Sequence, residues 1–565
     1  MAGKVAIGIQ SFDTLREGNY FYIDKTHFIK EWWESGDEVT LITRPRRFGK
    51  TLNMSMVEQF FSVDYKDRED LFEGLTIWEE EKYRELQGRY PVINLSFARI
   101  KETDYKKTKS KIYEVLRNEY IKYSYIRDSN VLTNADRETF DCVLSKNMEE
   151  TDATSALYQL SGFLCRYYGR KVIILLDEYD TPMQEAYVNG FWDERGAFTR
   201  SLFNSTFKTN PYLERGIMTG ITRVSKESIF SDLNNLKVVT TTSAEYATSF
   251  GFTEEEVFTA LEEYSYGGQK EEVKHWYDGF IFGKQKDIYN PWSILNFLDT
   301  GKIDTYWANT SSNSLVGKLI REGDEDIKEL FGILLKGESI HCPLDEQIIY
   351  NQLDDNPDAV WSLLLASGYL KVLHYQQVNE VSEYEEPQYE LAFTNQEVRR
   401  MFRNLVREWF KGTKKAYNDF IKALLTGKVK EMNVYMNNVA LKTFSYFDTG
   451  KDASMSGTPE KFYHGFVLGL VVDLAEEYVI TSNRESGLGR YDVVIEPKKA
   501  DGDAFILEFK VQDTEEESTL AETVAAAHTQ IEEKQYEAAL LARGIKEYKI
   551  HKYGFAFQGK KVLIG

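Results

Sequence analysis

Three stretches of this 565-residue chain carry residue types at spacings suited to phosphate chemistry. The first is Arg44-Pro-Arg-Arg-Phe-Gly-Lys-Thr51, which follows a short apolar run and precedes a helical pattern. Strand, tight loop, Gly-Lys-Thr and helix is the layout of a P-loop. Loop N–H groups and the helix N-terminus face the phosphates, Lys50 reaches the β and γ phosphates, and the Thr51 hydroxyl ligates Mg²⁺. The candidate nucleotide-binding residues are therefore Arg46, Arg47, Phe48, Gly49, Lys50, Thr51 and Leu52. The generic pattern opens with Gly where Arg44 stands, and Pro45 removes one N–H donor. Arg46 and Arg47 compensate with charge.

The second stretch is Lys171-Val-Ile-Ile-Leu-Leu-Asp-Glu178. Its aliphatic run drives a strand into the sheet and delivers Asp177 and Glu178 to the C-terminal edge, where open α/β sheets bind ligands. Asp177 is the candidate Mg²⁺ ligand alongside Thr51. Glu178 is the candidate base that orients or activates the attacking water. A further strand over 216–222 ends in Thr222 and Arg223, a γ-phosphate sensor and an arginine-finger candidate.

The third stretch lies near the C-terminus. Asp492 opens a strand, and Glu508 and Lys510 stand two apart on the next. Residues i and i+2 of a strand share a face, so Glu508 and Lys510 point the same way. If the two strands are antiparallel neighbours, Asp492 joins them. Two converging carboxylates suit Mg²⁺ or Mn²⁺, and Lys510 positions water or balances phosphate charge. This is the Asp, then Glu-x-Lys, pattern of PD-(D/E)XK nucleases. Glu460 on a preceding helix is the candidate that completes such a site, and Gln530 on a following helix is a further polar contributor. Arg490 and His464 are candidates to face the phosphate backbone. A surface salt bridge between Glu508 and Lys510 is the alternative reading of that spacing.

These residues need elements to hold them. Periodicity predicts strands over 39–43, 92–97, 171–176 and 216–222 alternating with helices over 50–61 and 157–168. That alternation argues for a parallel sheet with helices on both faces. After residue 250 the pattern becomes mainly helical, with helices over 253–264, 358–370 and 395–410. A Gly-, Ser- and Asp-rich stretch over 442–460 marks a boundary. Beyond it a helix over 460–477, strands over 491–495 and 504–510, a helix over 520–543 and a strand over 553–557 form a small α/β domain. The expected organisation is a P-loop ATPase domain over 1–250, a helical lid over 251–345, a helical connection over 346–450 and a restriction-endonuclease-like domain over 451–565.

Composition narrows the partners. The 69 Lys and Arg against 90 Asp and Glu leave a net charge of −21, so nucleic acid must bind through a local basic groove inside an acidic shell. Three dispersed Cys, with no CxxC pair, support neither a zinc site nor a disulfide framework. The N-terminus lacks a signal-peptide pattern and no run is long enough to span a bilayer, so a cytoplasmic protein that engages no membrane is expected.

The chain also resembles bacterial AAA-ATPase-like proteins that carry a C-terminal PD-(D/E)XK nuclease-type domain. The resemblance rests on Tyr22-Ile-Asp-Lys-Thr26, the Arg44–Thr51 loop, Leu176-Asp-Glu-Tyr-Asp180, Ser228-Ile-Phe-Ser-Asp-Leu-Asn-Asn235, Tyr277-Asp-Gly279 and Tyr289-Asn-Pro-Trp292. In that family the Arg-rich loop without its leading Gly is usual. The resemblance implies ATP and Mg²⁺ as ligands, a metal-dependent nuclease centre (with Mn²⁺ as an alternative ion) and nucleic acid as partner, DNA favoured over RNA. P-loop ATPases that borrow an Arg from a neighbour make a homo-oligomer a further expectation. The alternative function is a nucleotide-controlled switch or assembly module whose last domain binds nucleic acid or protein without cutting.

Overall fold

The computed structural model describes residues 3–223, 233–308, 325–344, 358–376, 387–409, 414–443, 477–486, 489–499, 502–513, 517–558 and 561–565, with a few isolated positions between them. The chain divides into two compact units, Met1–Val316 with His341–Val398, and Gly317–Ile340 with Arg399–Gly565.

The first unit is built on five strands: β1 (Val39–Thr43), β2 (Val92–Ser96), β3 (Val172–Asp177), β4 (Leu213–Gly220) and β5 (Leu236–Val239). They run parallel in the order β2-β3-β4-β1-β5. Every residue of β1 and β3 is buried, as strands covered on both faces should be; β3 is aliphatic up to Asp177, and β1 carries Thr40 and Thr43. Helix α1 (Lys50–Phe61) leaves the C-terminal end of β1, and α2 (Tyr105–Lys122), α3 (Glu150–Tyr168) and α4 (Thr181–Val188) complete the elements around the site. Helix α3 ends at Gly169 in the left-handed conformation, and β3 follows after a two-residue turn. Strand β4 stops at Gly220, two residues short of the expected end. The N–H groups of Ile221 and Thr222 go to the Asp180 carboxylate instead of a ladder partner.

The segment after residue 250 holds more strand than its sequence pattern suggests. Strands β6 (Phe252–Thr253), β7 (Phe280–Phe282) and β8 (Gln285–Tyr289) form a small antiparallel sheet in the order β6-β8-β7. Helix α5 (Glu254–Glu263) begins with a capping box between Thr253 and Glu256, and α6 (Pro291–Thr300) follows β8. Strands β9 (Ile340–Cys342), β10 (Leu370–Tyr375) and β11 (Tyr389–Phe393) make a third sheet in the order β10-β11-β9. The helix expected over 358–370 spans only Ala359–Ala366, because Gly368 at φ +82° turns the chain into β10.

Helices α7 (Gln396–Trp409), α8 (Lys414–Leu425) and α9 (Val429–Thr443) come next. The second unit's sheet contains β12 (Tyr478–Ser486), β13 (Gly489–Pro497), β14 (Ala504–Val511), β15 (Ile550–Gln558) and β16 (Lys561–Ile564) in sequential order, with only β14 and β15 parallel. Helix α10 (Leu520–Glu533) packs between β14 and β15 in sequence. The longer helix expected over 520–543 breaks after it, where Gln535 adopts φ +53°. The helix expected over 460–477 lies outside the described residues. Among the described residues no helix is long and apolar enough to cross a membrane.

Candidate functional site

The loop between β1 and α1 has the form that phosphate binding requires. Gly49 caps α1 at φ +82° and Arg47 also sits in the left-handed region at φ +67°, so the loop turns N–H groups toward one point. Lys50 is buried and donates to the carbonyls of Arg44 (2.9 Å) and Pro45 (3.0 Å), which folds its side chain back over the loop. Its Nζ lies 3.6 Å from Glu178 Oε1. The Thr51 hydroxyl donates to Asp177 Oδ2 at 2.7 Å, and Thr219 Oγ1 donates to Asp177 Oδ1 at 2.5 Å. Burial, with Glu178 beside it, holds the Asp177 carboxyl above its ordinary range. A hydroxyl and a carboxylate set together are the oxygen donors Mg²⁺ prefers.

Lys50, Thr51 and Glu178 border a cavity of about 440 Å³, whereas Asp177, buried and bonded to Thr51, does not line it. Arg46, Arg47, Phe48, Gly49, Lys50, Thr51, Leu52 and Glu178 all line it. Tyr22, Lys25 and Trp292 line it as well. Lys101, from the loop after β2, also lines the cavity and was not singled out by the sequence. A lone Lys on an exposed loop gives no pattern to find.

The remaining calls on this site fall elsewhere. Thr222 is buried and its hydroxyl donates to Asp180 Oδ2 at 3.0 Å, so it faces inward instead of lining the cavity. Arg223 lines a separate small cleft with Thr43, Thr240 and Ser362. The turn from Asp177 to Asp180 is tied to the end of β4 almost residue by residue. Tyr179 N–H donates to Thr219 O (2.9 Å) and its hydroxyl to Thr222 O (2.7 Å), while Asp180 accepts from Ile221 and Thr222. This bracing holds Glu178 at φ +54°, a conformation worth about 1–3 kcal/mol of strain in a non-Gly residue.

Arg44 does something the P-loop pattern does not describe. It is fully buried and donates to the carbonyls of Thr43 (2.9 Å), Thr240 (2.6 Å) and Glu245 (3.1 Å). Its guanidinium lies 4.6 Å from the Phe282 ring centre. Burial pushes its pKa down to about 9, which leaves it charged at neutral pH. Arg44 therefore joins the start of the loop to the chain after β5 and to β7.

The other recurrent motifs brace the loop as well. Asn290 caps α6 and also donates to Arg46 O at 3.3 Å, and Trp307 Nε1 donates to the same carbonyl at 2.9 Å. The Arg47 guanidinium stacks 4.1 Å from the Trp292 ring centre. The Trp307 backbone is held in turn by Glu397, which accepts from its N–H at 2.6 Å and from Ser293 Oγ at 2.8 Å. Burial pushes Glu397 up to about 7. In Tyr277-Asp-Gly279, glycine is required: its φ is +126° and a Cβ would sit 2.0 Å from Thr394 O.

The second candidate site lies in the second unit. Strands β13 and β14 are antiparallel neighbours, with Val493 opposite Leu507 and Val494 opposite Ile506. Continuing that register sets Asp492 opposite Glu508, and Phe509 N–H donates to Asp492 Oδ2 at 2.8 Å. Glu508 is 2% exposed and accepts a hydrogen bond from Gln530 Nε2 on α10. Lys510 is half-buried two residues along the strand. Tyr536 completes the cluster: it is buried, and its hydroxyl accepts from Gln530 at 3.1 Å. Sequence reading missed Tyr536 because the helix expected over 520–543 ends at Glu533, and the turn at Gln535 brings Tyr536 back to Gln530 in a way that helical spacing does not show. Glu460 and His464, and the Arg490 side chain, lie outside the described residues.

Two parts of the chain match known families. Residues 6–230 match the family described as predicted AAA-ATPase. Residues 458–565 match the PD-(D/E)XK nuclease superfamily. An uncharacterized protein in the vnfD 5' region of Azotobacter chroococcum mcd 1 is 25% identical over 403 residues, covering 70% of this chain and 68% of the relative. The chain thus carries a predicted AAA-ATPase domain in its N-terminal part and a PD-(D/E)XK nuclease-superfamily domain at its C-terminus.

Proposed function

We propose that the protein binds and hydrolyses ATP and couples that cycle to metal-dependent cleavage of a nucleic-acid phosphodiester. The observation that carries the first half is the meeting of Lys50, Thr51 and Glu178 at one cavity, with Asp177 bonded to Thr51 beside it. Lys50 binds the β and γ phosphates, and the loop N–H groups bind the rest of the phosphate chain. Glu178 accepts a proton from the attacking water, with the Lys50 ammonium 3.6 Å from its Oε1. Thr51 and Asp177 would hold Mg²⁺, which supplies charge neutralisation at the phosphates.

In the second unit Asp492 and Glu508 would hold Mg²⁺ or Mn²⁺, which supplies Lewis-acid polarisation of the scissile phosphate. Gln530, with Tyr536 behind it, fixes the orientation of Glu508. Lys510 orients the water and offsets negative charge on the phosphate. The substrate in this reading is DNA in preference to RNA, and the protein is cytoplasmic, engages no membrane and works as a homo-oligomer.

Phosphate release measured on wild type, Lys50→Ala and Glu178→Gln tests the ATPase half. Wild type should turn over ATP, Glu178→Gln should bind ATP with at least tenfold slower release, and Lys50→Ala should lose binding. ATP binding by wild type without any turnover would remove hydrolysis from the account.

A further inference from the structure

One segment outside both matched domains has a charge opposite to that of the protein. Residues 399–430 contain ten Lys and Arg against two Asp and Glu, a local net charge of +8 within a chain of −21. The rest of the chain therefore carries −29. A polyanion approaching this protein is repelled by most of the surface, and at a screening length of about 10 Å such a segment attracts it locally.

Among the described residues, four of these cations, Arg400, Lys422, Lys428 and Lys430, are exposed. In α7 the apolar positions Val398, Met401, Phe402 and Val406 are buried. Arg399 is spent internally on the carbonyls of Leu335 (3.1 Å) and Lys336 (2.5 Å), whereas Arg400 is exposed. In α8 and at the start of α9, Phe420, Ala423, Leu424 and Met432 are buried while Lys422, Lys428 and Lys430 are exposed. The Lys428–Glu431 pair is open to solvent, and an exposed pair of this kind holds a lysine only weakly.

The basic segment is also fixed to the sheet that carries Asp492 and Glu508. Asn433 makes two hydrogen bonds to the Ile564 backbone, donating to its carbonyl (2.7 Å) and accepting from its N–H (2.8 Å). Asn437 does the same for Val562 (2.7 and 3.0 Å). Two side chains on α9 thus pair with β16 as a neighbouring strand would. Tyr553, on β15, donates its hydroxyl to Leu424 O at 3.2 Å.

We propose that Lys422, Lys428 and Lys430, on α8, the turn after it and the start of α9, form a docking surface for the phosphodiester backbone of a nucleic acid, on the unit that carries the nuclease site. This deepens the nuclease reading and rests on it only for what happens after docking. Recognition is of the backbone charge, independent of base sequence.

The test is fluorescence anisotropy with the full-length protein and labelled 30-mer duplexes of DNA and of RNA, titrated from 50 to 300 mM NaCl without divalent metal. The variants are the triple change Lys422→Glu, Lys428→Glu and Lys430→Glu, a charge-neutral Lys→Gln triple at the same positions, and Asp492→Ala. Each phosphate contact contributes about 0.9 to the slope of log affinity against log salt, so losing three lowers the slope by roughly 2.7. The Glu triple should weaken binding at least 20-fold at 100 mM NaCl, the Gln triple should lower the slope similarly, and Asp492→Ala should bind like wild type. ATP hydrolysis and thermal midpoint, unchanged in both triples, report that the fold is intact. The tighter of the two duplexes identifies the source of the backbone. Wild-type affinity and slope in both triples, or no binding of either duplex by wild type at 50 mM NaCl, overturns the proposal. Cleavage by wild type with triples that bind normally removes the docking surface and keeps the nuclease. Binding lost in the triples with no cleavage by wild type keeps the surface and removes the nuclease.

Discussion

Replacing Arg44 with glycine restores the generic P-loop pattern, and the structure says it should damage the protein. The Arg44 guanidinium satisfies the carbonyls of Thr43, Thr240 and Glu245 and packs on Phe282, all without solvent exposure. Leaving three buried acceptors short of a donor costs about 1–2 kcal/mol each, and the vacated volume adds about 3 kcal/mol. Relief from burying a charge returns several kcal/mol. The net is a loss of roughly 3–5 kcal/mol, which lowers the melting temperature of a unit this size by about 4–6 °C. The effect reaches the site because Lys50 is anchored on the Arg44 carbonyl. Differential scanning fluorimetry with and without ATP, comparing Arg44→Gly with Lys50→Ala, separates the two effects. Arg44→Gly should lose both stability and nucleotide affinity, the latter at least tenfold. Lys50→Ala should lose affinity with a smaller fall in stability, because it leaves two buried carbonyls and not three without their donor. An Arg44→Gly protein that melts within 2 °C of wild type and binds ATP normally would refute the argument.

Other consequences are equally direct. Burial lifts Glu397 to about 7 from an ordinary 4.5, so the folded state keeps a proton that the unfolded chain loses between those values, and stability falls as pH rises through that window. Glu397→Gln lacks this slope: its stability relative to wild type should rise from pH 5 to 7.5 by up to roughly 3 kcal/mol, and a constant difference in urea midpoints would contradict the assignment. Gly279→Ala forces a Cβ to within 2.0 Å of a backbone oxygen at φ +126° and should cost about 3 kcal/mol or more, read as a lower melting temperature or as insoluble protein. Tyr536→Phe removes the acceptor that steadies Gln530, so nuclease turnover should fall about three- to tenfold while the thermal midpoint moves by less than about 2 °C.

What the sequence disclosed depended on how local each signal was. Strands β1 and β3 and helix α1 were readable because an unbroken aliphatic run and a Gly-Lys-Thr step are written in consecutive residues. The Glu508 and Lys510 spacing was readable for the same reason, and the antiparallel pairing that brings Asp492 to them follows from two adjacent strands. The small sheets after residue 250 were not readable. Their strands are two to six residues long, and their hydrophobic positions blend into the flanking helices. The roles of Arg44 and Thr222 were hidden by distance: Arg44 meets Thr240 across 196 residues, and Thr222 meets Asp180 across 42. Arg44 stood out only as a departure from the P-loop pattern and Thr222 as a γ-phosphate sensor, whereas burial and hydrogen bonding give each a bracing partner. The motifs Tyr277-Asp-Gly279 and Tyr289-Asn-Pro-Trp292 acquired a reason only when the fold brought them to Thr394, Arg46 and Arg47.

The central claim is that one chain unites a nucleotide site with a phosphodiester-cutting site. Its most direct test is cleavage of end-labelled DNA and RNA by the full-length protein in Mg²⁺ or Mn²⁺, with and without ATP, for wild type, Asp492→Ala and Lys50→Ala. The account predicts that wild type cuts, that Asp492→Ala does not, and that Lys50→Ala cuts without responding to ATP. No cleavage by wild type under any of these conditions, while ATP is still hydrolysed, would contradict it and leave a nucleotide-controlled binding protein in its place.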